Sequence, residues 1–137
     1  MPTYLGSGSS VPTASSGSLN INVPSTPIKL AAFGLSIPVP DNRVILNATV
    51  GISASLGNPT VLFKIYRDTG IIFSTVTELQ LTVAQNATVT FQAIDLNVPV
   101  GSNYAYSMTA ELVNSNLLNN ALITGPITFS GIATSRF

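Results

Sequence analysis

Cysteine, histidine and tryptophan are all missing from these 137 residues. Without cysteine there is no disulfide, no thiolate nucleophile and no zinc–thiolate site. Without histidine, the commonest general base and the commonest transition-metal ligand are gone. Charge is scarce too. Only 7% of residues are charged, against about 25% in typical soluble domains. Lys29, Arg43, Lys64, Arg67 and Arg136 balance Asp41, Asp68, Glu78, Asp95 and Glu111, for a net charge of zero. That balance offers no footprint for nucleic acid or an anionic membrane, and it sets little repulsion against self-association. No apolar run reaches the roughly 18 residues of a membrane-spanning helix. The opening Met1-Pro2-Thr3-Tyr4 has neither a basic n-region nor an apolar h-region, so the expectation is a chain made without the secretory route, or one whose signal has been removed.

What remains reads as strand. No segment places apolar residues at helical spacing between caps. Val44, Leu46, Ala48, Val50, Ile52 and Ala54 share one face of a long alternating run, the mark of a half-buried strand. Gly57-Asn58-Pro59 breaks it. Val61, Phe63 and Ile65 alternate with Leu62, Lys64 and Tyr66, and Asp68-Thr69-Gly70 predicts a hairpin turn into Ile71-Ile72-Phe73. Leu79, Leu81 and Val83 alternate with Glu78, Gln80 and Thr82, with a turn expected at Gln85-Asn86. Val89, Phe91 and Ala93 alternate with Thr88, Thr90 and Gln92. Tyr104, Tyr106, Met108, Ala110 and Leu112 form another face, and Asn114 to Asn120 a polar connection. A last strand runs from about Ala121 to Thr134, where Gly125-Pro126 suggests a bulge or an edge position. Pro27 to Ile37 supplies one more strand, with Gly34 a candidate bulge. Roughly eight strands separated by turns predict an all-β fold, an antiparallel two-sheet sandwich of the eight-stranded jelly-roll kind.

The N-terminus is different in kind. Gly6-Ser7-Gly8-Ser9-Ser10 and Ala14-Ser15-Ser16-Gly17 read as a flexible leader over residues 1–17, ahead of a single domain at 18–137. Ser18 to Val23 then alternates polar and apolar, with Leu19, Ile21 and Val23 on one face. A short strand on a tether can pair with its own domain or serve as a donor strand for a neighbour. Leu19, Ile21 and Val23 are therefore the candidate assembly residues.

Chemistry-bearing motifs are few. Asp68-Thr69-Gly70 matches the triplet of aspartic proteases, which needs two carboxylates sharing a proton. Asp and Gly are also what a tight turn requires, and the turn is the expectation. Asn47-Ala48-Thr49 and Asn86-Ala87-Thr88 fit the glycosylation pattern, but such triplets arise readily in an Asn- and Thr-rich chain. Tyr104 and Tyr106 could stack on sugar rings, yet they share a face with Met108 and Leu112 and are expected in the core. Asp41, Asp68 and Asp95 lie near loops without calcium-loop spacing. Lys64 and Arg67 sit close in sequence to Asp68 and suggest a local ion pair. No metal, cofactor or catalytic residue is assigned, and an enzyme is not expected.

Four blocks together carry a resemblance. They are Asn42-Arg43-Val44-Ile45-Leu46-Asn47-Ala48-Thr49-Val50-Gly51, Val61-Leu62-Phe63-Lys64-Ile65-Tyr66-Arg67-Asp68, Thr90-Phe91-Gln92-Ala93-Ile94-Asp95-Leu96-Asn97-Val98 and Gly125-Pro126-Ile127-Thr128-Phe129-Ser130-Gly131. Over about residues 19 to 133 the chain resembles the exosporium protein C type of small spore-surface proteins and, by extension, subunits of endospore appendage fibres. The resemblance implies a structural role at the bacterial spore surface, reached by release from the mother cell, with other spore-surface proteins as possible partners. It supplies no active site. The resulting expectation is a subunit that polymerises with itself by N-terminal β-strand addition. A carbohydrate-binding module and a closed trimeric jelly roll are the alternatives.

Overall fold

The computed structural model describes residues 2–80, 86–114, 116 and 118–137. Among them there is no helix, and the strands are β1 (Tyr4–Thr13), β2 (Ile21–Asn22), β3 (Ile28–Ile37), β4 (Asn42–Leu56), β5 (Thr60–Arg67), β6 (Gly70–Glu78), β7 (Asn86–Leu96), β8 (Gly101–Leu112) and β9 (Asn120–Ser135). They form two antiparallel sheets. One runs β1-β9-β4-β7, with the two-residue β2 also paired to β9, and the other runs β3-β8-β5-β6. With β2 set aside, eight strands remain. In chain order, the first, eighth, third and sixth form one sheet, and the second, seventh, fourth and fifth the other. This is the double Greek key of a jelly roll.

Period-two alternation positions the core. The inward residues of β4 (Val44, Leu46, Ala48, Val50, Ile52 and Ala54) are all buried. Val61, Phe63 and Ile65 on β5 face Met108, Ala110 and Leu112 on β8, and Ile127, Phe129 and Ala133 complete the opposite wall. Phe33 sits between the layers, its ring centroid 5.7 Å from that of Tyr106 and 4.9 Å from that of Phe129.

Two sequence expectations change here, and of the two alternatives at Gly125-Pro126 the bulge holds. Residues 4–13 are not a loose leader. They form β1, antiparallel to β9, and supply the first strand of the jelly roll. Gly34 is not at a bulge: it pairs in register with Ala105, and the register shifts of β3 fall on either side of it. The Gly125-Pro126 step does interrupt the β4–β9 pairing, between Val50 and Ile52, but β9 is an interior strand rather than an edge. Gly125 has φ +82°, and a Cβ on the facing Gly51 would lie 1.8 Å from its carbonyl oxygen, so β4 accommodates the bulge only with glycine there. The Leu81, Val83 and Gln85 part of the expected strand and turn at 78–86 lies outside the described residues. Leu79 is buried, and its N–H donates to the Pro59 carbonyl.

Candidate functional site: the N-terminal strand and its slot

β1 is built from residues that favour strands poorly: two glycines, three serines and a proline lie among its ten residues. None of its residues is buried, and Leu5 alone packs partly against the core. The strand is therefore held chiefly by its main-chain ladder to β9 from Tyr4↔Thr134 to Thr13↔Ile127. Its register has a specific lock. Gly8 pairs with Gly131, and the Phe33 ring lies across both. A Cβ at Gly8 would come within 2.5 Å of Phe33 Cδ2 and 2.9 Å of the Gly34 carbonyl oxygen, and one at Gly131 within 2.7 Å of Phe33 Cζ. The glycines that look like linker composition are there because an aromatic ring approaches the backbone closely. At the start of β1 the packing opens out: three shallow grooves of about 410, 420 and 500 Å³ share Leu5 in their walls.

The segment 18–23 lies against the chain's own domain. Leu19 N–H donates to the Thr124 carbonyl at 3.2 Å and Val23 N–H to the Ala121 carbonyl at 3.0 Å, so it runs along the same β9 edge just beyond β1. Leu19, Ile21 and Val23 do not share one environment. Val23 is buried, Leu19 is half-buried, and Ile21 stays 40% exposed. Directly after Val23, the Pro24 carbonyl accepts from Leu112 N–H on β8, so Val23 marks where the chain crosses from one sheet to the other. Between the two paired stretches, Ser18 Oγ donates to the Ser15 carbonyl at 2.6 Å and approaches the Thr13 hydroxyl, closing a turn over Gly125.

The cluster of titratable side chains lies elsewhere. Asp95 on β7 is buried, and its Oδ2 accepts from Arg67 Nη1 at 2.6 Å and from the Tyr106 hydroxyl at 2.9 Å. The trio joins one sheet to the other. The signal was present in the sequence. Arg67 continues the inward series Val61, Phe63, Ile65, and Asp95 continues Val89, Phe91, Ala93, so each sheet presents one charge inward near its end. Arg67 thus pairs with Asp95, and Lys64 with Glu111 at 2.7 Å, in place of the expected local pair with Asp68. Asp68 itself occupies the hairpin turn at φ +55°, its Oδ1 accepting from Ala105 N–H.

Burial, and after it the Asp95 carboxylate, push the Tyr106 phenol well above its ordinary value of 10.0, against the opposing Arg67 charge. A folded-state value above the unfolded one means that the stabilisation from the neutral phenol is fully present below about pH 10 and is lost as pH rises above it. Urea midpoints of the native protein should therefore fall more steeply above pH 10 than those of Tyr106→Phe. Parallel slopes for the two proteins would contradict this account.

The remaining sequence candidates are spread apart. Tyr106 is fully buried. Tyr104 is half-buried, with its hydroxyl on the Pro99 carbonyl at 2.6 Å and the Arg67 guanidinium over its ring. Burial closes Tyr106 to a sugar, and the Arg67 guanidinium occupies one face of Tyr104. Asn47 is exposed mid-strand on β4, accepting from Gln92 Nε2, and Asn86 is exposed at the start of β7. Among the described residues no three Asp or Glu side chains converge as metal ligands. Sequence reasoning passed over Asn42, which is buried and ties two loops together. Its Nδ2 donates to the carbonyls of Val98 (2.8 Å), Val39 (2.7 Å) and Pro40 (3.2 Å), and its Oδ1 accepts from Val98 N–H.

No protein-family model and no curated protein matches this chain. Among solved structures it is similar to the PRD1 vertex protein P5, at 10% identity over 94% of this chain and 71% of that one, with a TM-score of 0.43. It is also similar to a CBM4 structure (14% identity, 77% of this chain and 60% of that one, TM-score 0.36) and to the MgGH51 α-L-arabinofuranosidase (13% identity, 96% and 23%, TM-score 0.44). The chain spans less than two thirds of the latter two. Its assignment as a jelly roll rests on its own strand order.

Proposed function

We propose that this jelly roll is a structural subunit that assembles with copies of itself, in a fibre or surface layer of the bacterial spore, by exchange of its N-terminal strand. The observation that carries the reading is β1: ten residues, none buried, held in a glycine-specific slot at the end of a sheet. Strand addition takes its affinity from main-chain hydrogen bonds and its register from a few side-chain fits. Here the fit is Gly8 and Gly131 beneath Phe33. An identical strand from another copy makes the same contacts, so exchange leaves the contact energy nearly unchanged and is governed by the connector and by concentration. Residues 14–20 are the connector, while Val23 keeps the following segment anchored in its own core. A donor passing from each copy to the next gives a head-to-tail contact that does not close and so grows a filament. The low charge of the chain offers little repulsion to oppose it. The spore setting rests on the four sequence blocks that resemble spore-surface proteins. No cofactor, nucleic acid or membrane enters this function.

Gly8→Val tests it. The added side chain collides with a ring already fixed by Tyr106 and Phe129, so β1 should leave its slot at a cost of about 1–3 kcal/mol. The remaining domain should stay folded. Electron micrographs of the native protein are expected to show filaments, and those of Gly8→Val dispersed particles. Filaments indistinguishable between the two would rule out β1 as the donor.

Of Leu19, Ile21 and Val23, Ile21 is the one left exposed to meet a neighbour. Ile21→Asp is expected to leave the melting temperature within about 2 °C of native, as a surface substitution. It should slow filament growth by placing a carboxylate in an apolar contact. Unfolding of the isolated subunit by this change would instead assign Ile21 to its own domain alone.

A further inference from the structure

The two long sides of the sandwich differ. On one, β1 runs against β3, with Gly6 and Gly8 lying on Leu35 and Phe33. On the other, the β6 and β7 backbones stay apart and meet mainly through the stacked rings of Phe73 and Phe91, and among the described residues no strand pairs with the outer edge of β7. Val89, Phe91 and Phe73 are only partly buried along this margin. Phe91 lies 5.6 Å from Phe63 and 5.8 Å from Phe73 between ring centroids. β7 pairs with β4 through eleven successive residues, Asn86 to Leu96, without a register shift, so its free edge is unbroken. From Asn86 to Ile94 the edge contains no charge, no proline and no glycine. Exposed edges are usually guarded by lysine, proline, a bulge or short length, and this stretch has none of these.

The edge also fits itself. Taken about Thr90, the flanking residues match in pairs: Val89 with Phe91, Thr88 with Gln92, Ala87 with Ala93. Residues equally distant from a centre on a strand face the same side. We propose that β7 is a homotypic docking edge that pairs antiparallel with β7 of a second copy, about a two-fold axis at Thr90. On the inward side, Val89 meets the partner's Phe91 and Ala87 the partner's Ala93, covering the open aromatic margin. On the outward side, Thr88 meets the partner's Gln92. A one-residue slip would turn the apolar set of one copy toward the polar set of the other, so the alternation fixes the register. The contact is isologous and closed. It lies at the edge opposite β1 and does not depend on strand exchange. Where both operate, the β1-β9-β4-β7 sheets of two copies merge into one, and pairs of subunits rather than single subunits are linked through the N-terminal strand.

The absence of cysteine makes the test direct. Thr90→Cys and, as a control, Asn47→Cys would be prepared in the full chain, each carrying a single thiol. Asn47 is exposed on the same face but one strand in from the edge. Directly opposed residues on paired strands have Cβ atoms about 4.5–5.5 Å apart, close to disulfide range. Under mild oxidation, Thr90→Cys is expected to form disulfide-linked dimers about tenfold faster than Asn47→Cys. The same difference is expected with Gly8→Val added, which separates this contact from strand exchange. In sedimentation, Thr90→Lys and Thr90→Glu should each weaken dimerisation about fivefold, since each sets like charges opposite one another, and an equimolar mixture should restore it. Equal cross-linking at positions 90 and 47 would overturn the proposal. So would a Lys/Glu mixture no more dimeric than either variant alone.

Discussion

Asp95→Ala is expected to lower the unfolding free energy by about 3 kcal/mol, the low end of what breaking a buried pair costs. The low end applies because the Arg67 side chain keeps 28% exposure and can recover some hydration. Asp95 accepts from both Arg67 and Tyr106, and the three residues come from three strands in two sheets. Its removal leaves a guanidinium and a buried phenol without their shared acceptor at one end of the sandwich. Urea titration of the monomeric protein at neutral pH would read the loss. Asp95→Asn keeps an acceptor and should fall between Asp95→Ala and native. A replacement of all three by apolar residues of similar volume should recover much of the loss, because desolvation of the charges is removed along with their attraction. A loss for Asp95→Ala below about 1 kcal/mol would place the pair among ordinary surface contacts and end the account of it as an inter-sheet tie.

Asn42→Ala is expected to cost about 2–5 kcal/mol. The side chain donates to the Val98 carbonyl and accepts from the Val98 N–H, and Val98 is fully buried. Each buried backbone group left unsatisfied costs about 1–3 kcal/mol. The carbonyls of Val39 and Pro40 lose a donor as well, although they lie nearer solvent. Asn42→Asp should be worse than Asn42→Ala at neutral pH, since a carboxylate would face these carbonyls with no donor of its own. The ordering of the two variants by thermal or urea unfolding is the check. An Asn42→Asp protein as stable as native would show that the loops 37–42 and 96–99 are held by other contacts.

The legible parts of the fold were those whose signal is local. The inward face of β4 could be read from Val44 to Ala54 because alternation at period two needs only one sheet face to be buried. The β5–β6 hairpin could be read because Asp68-Thr69-Gly70 suits a turn that needs φ > 0, and Asp68 adopts φ +55°. Two inward charges, Arg67 and Asp95, were visible by parity, but their pairing across 28 residues of sequence was not. Asn42 carried no pattern at all. It lies at a strand start, and two of the four polar contacts of its amide come only with the approach of Val98 from 56 positions away.

β1 marks the boundary most clearly. By composition Gly6-Ser7-Gly8-Ser9-Ser10 is a linker, since glycine and serine neither favour strand backbone nor bring apolar area to bury. It is a strand because β9 offers an unpaired edge and because Phe33 leaves room only for glycine at positions 8 and 131. Similarly, alternation in Ser18 to Val23 set Leu19, Ile21 and Val23 on one face, but the crossing from one sheet to the other buries Val23 and leaves Ile21 outside. The sequence by itself determined the all-β class, the inward faces of the long strands, the hairpin turn and the near-neutral surface, because these follow from side-chain period, turn chemistry and charge count. Tertiary structure alone decided that the N-terminal strand β1 joins the jelly roll, which charges pair, and which strands lie at the sheet edges. Those outcomes depend on groups far apart in the chain, brought together by the packing of two sheets.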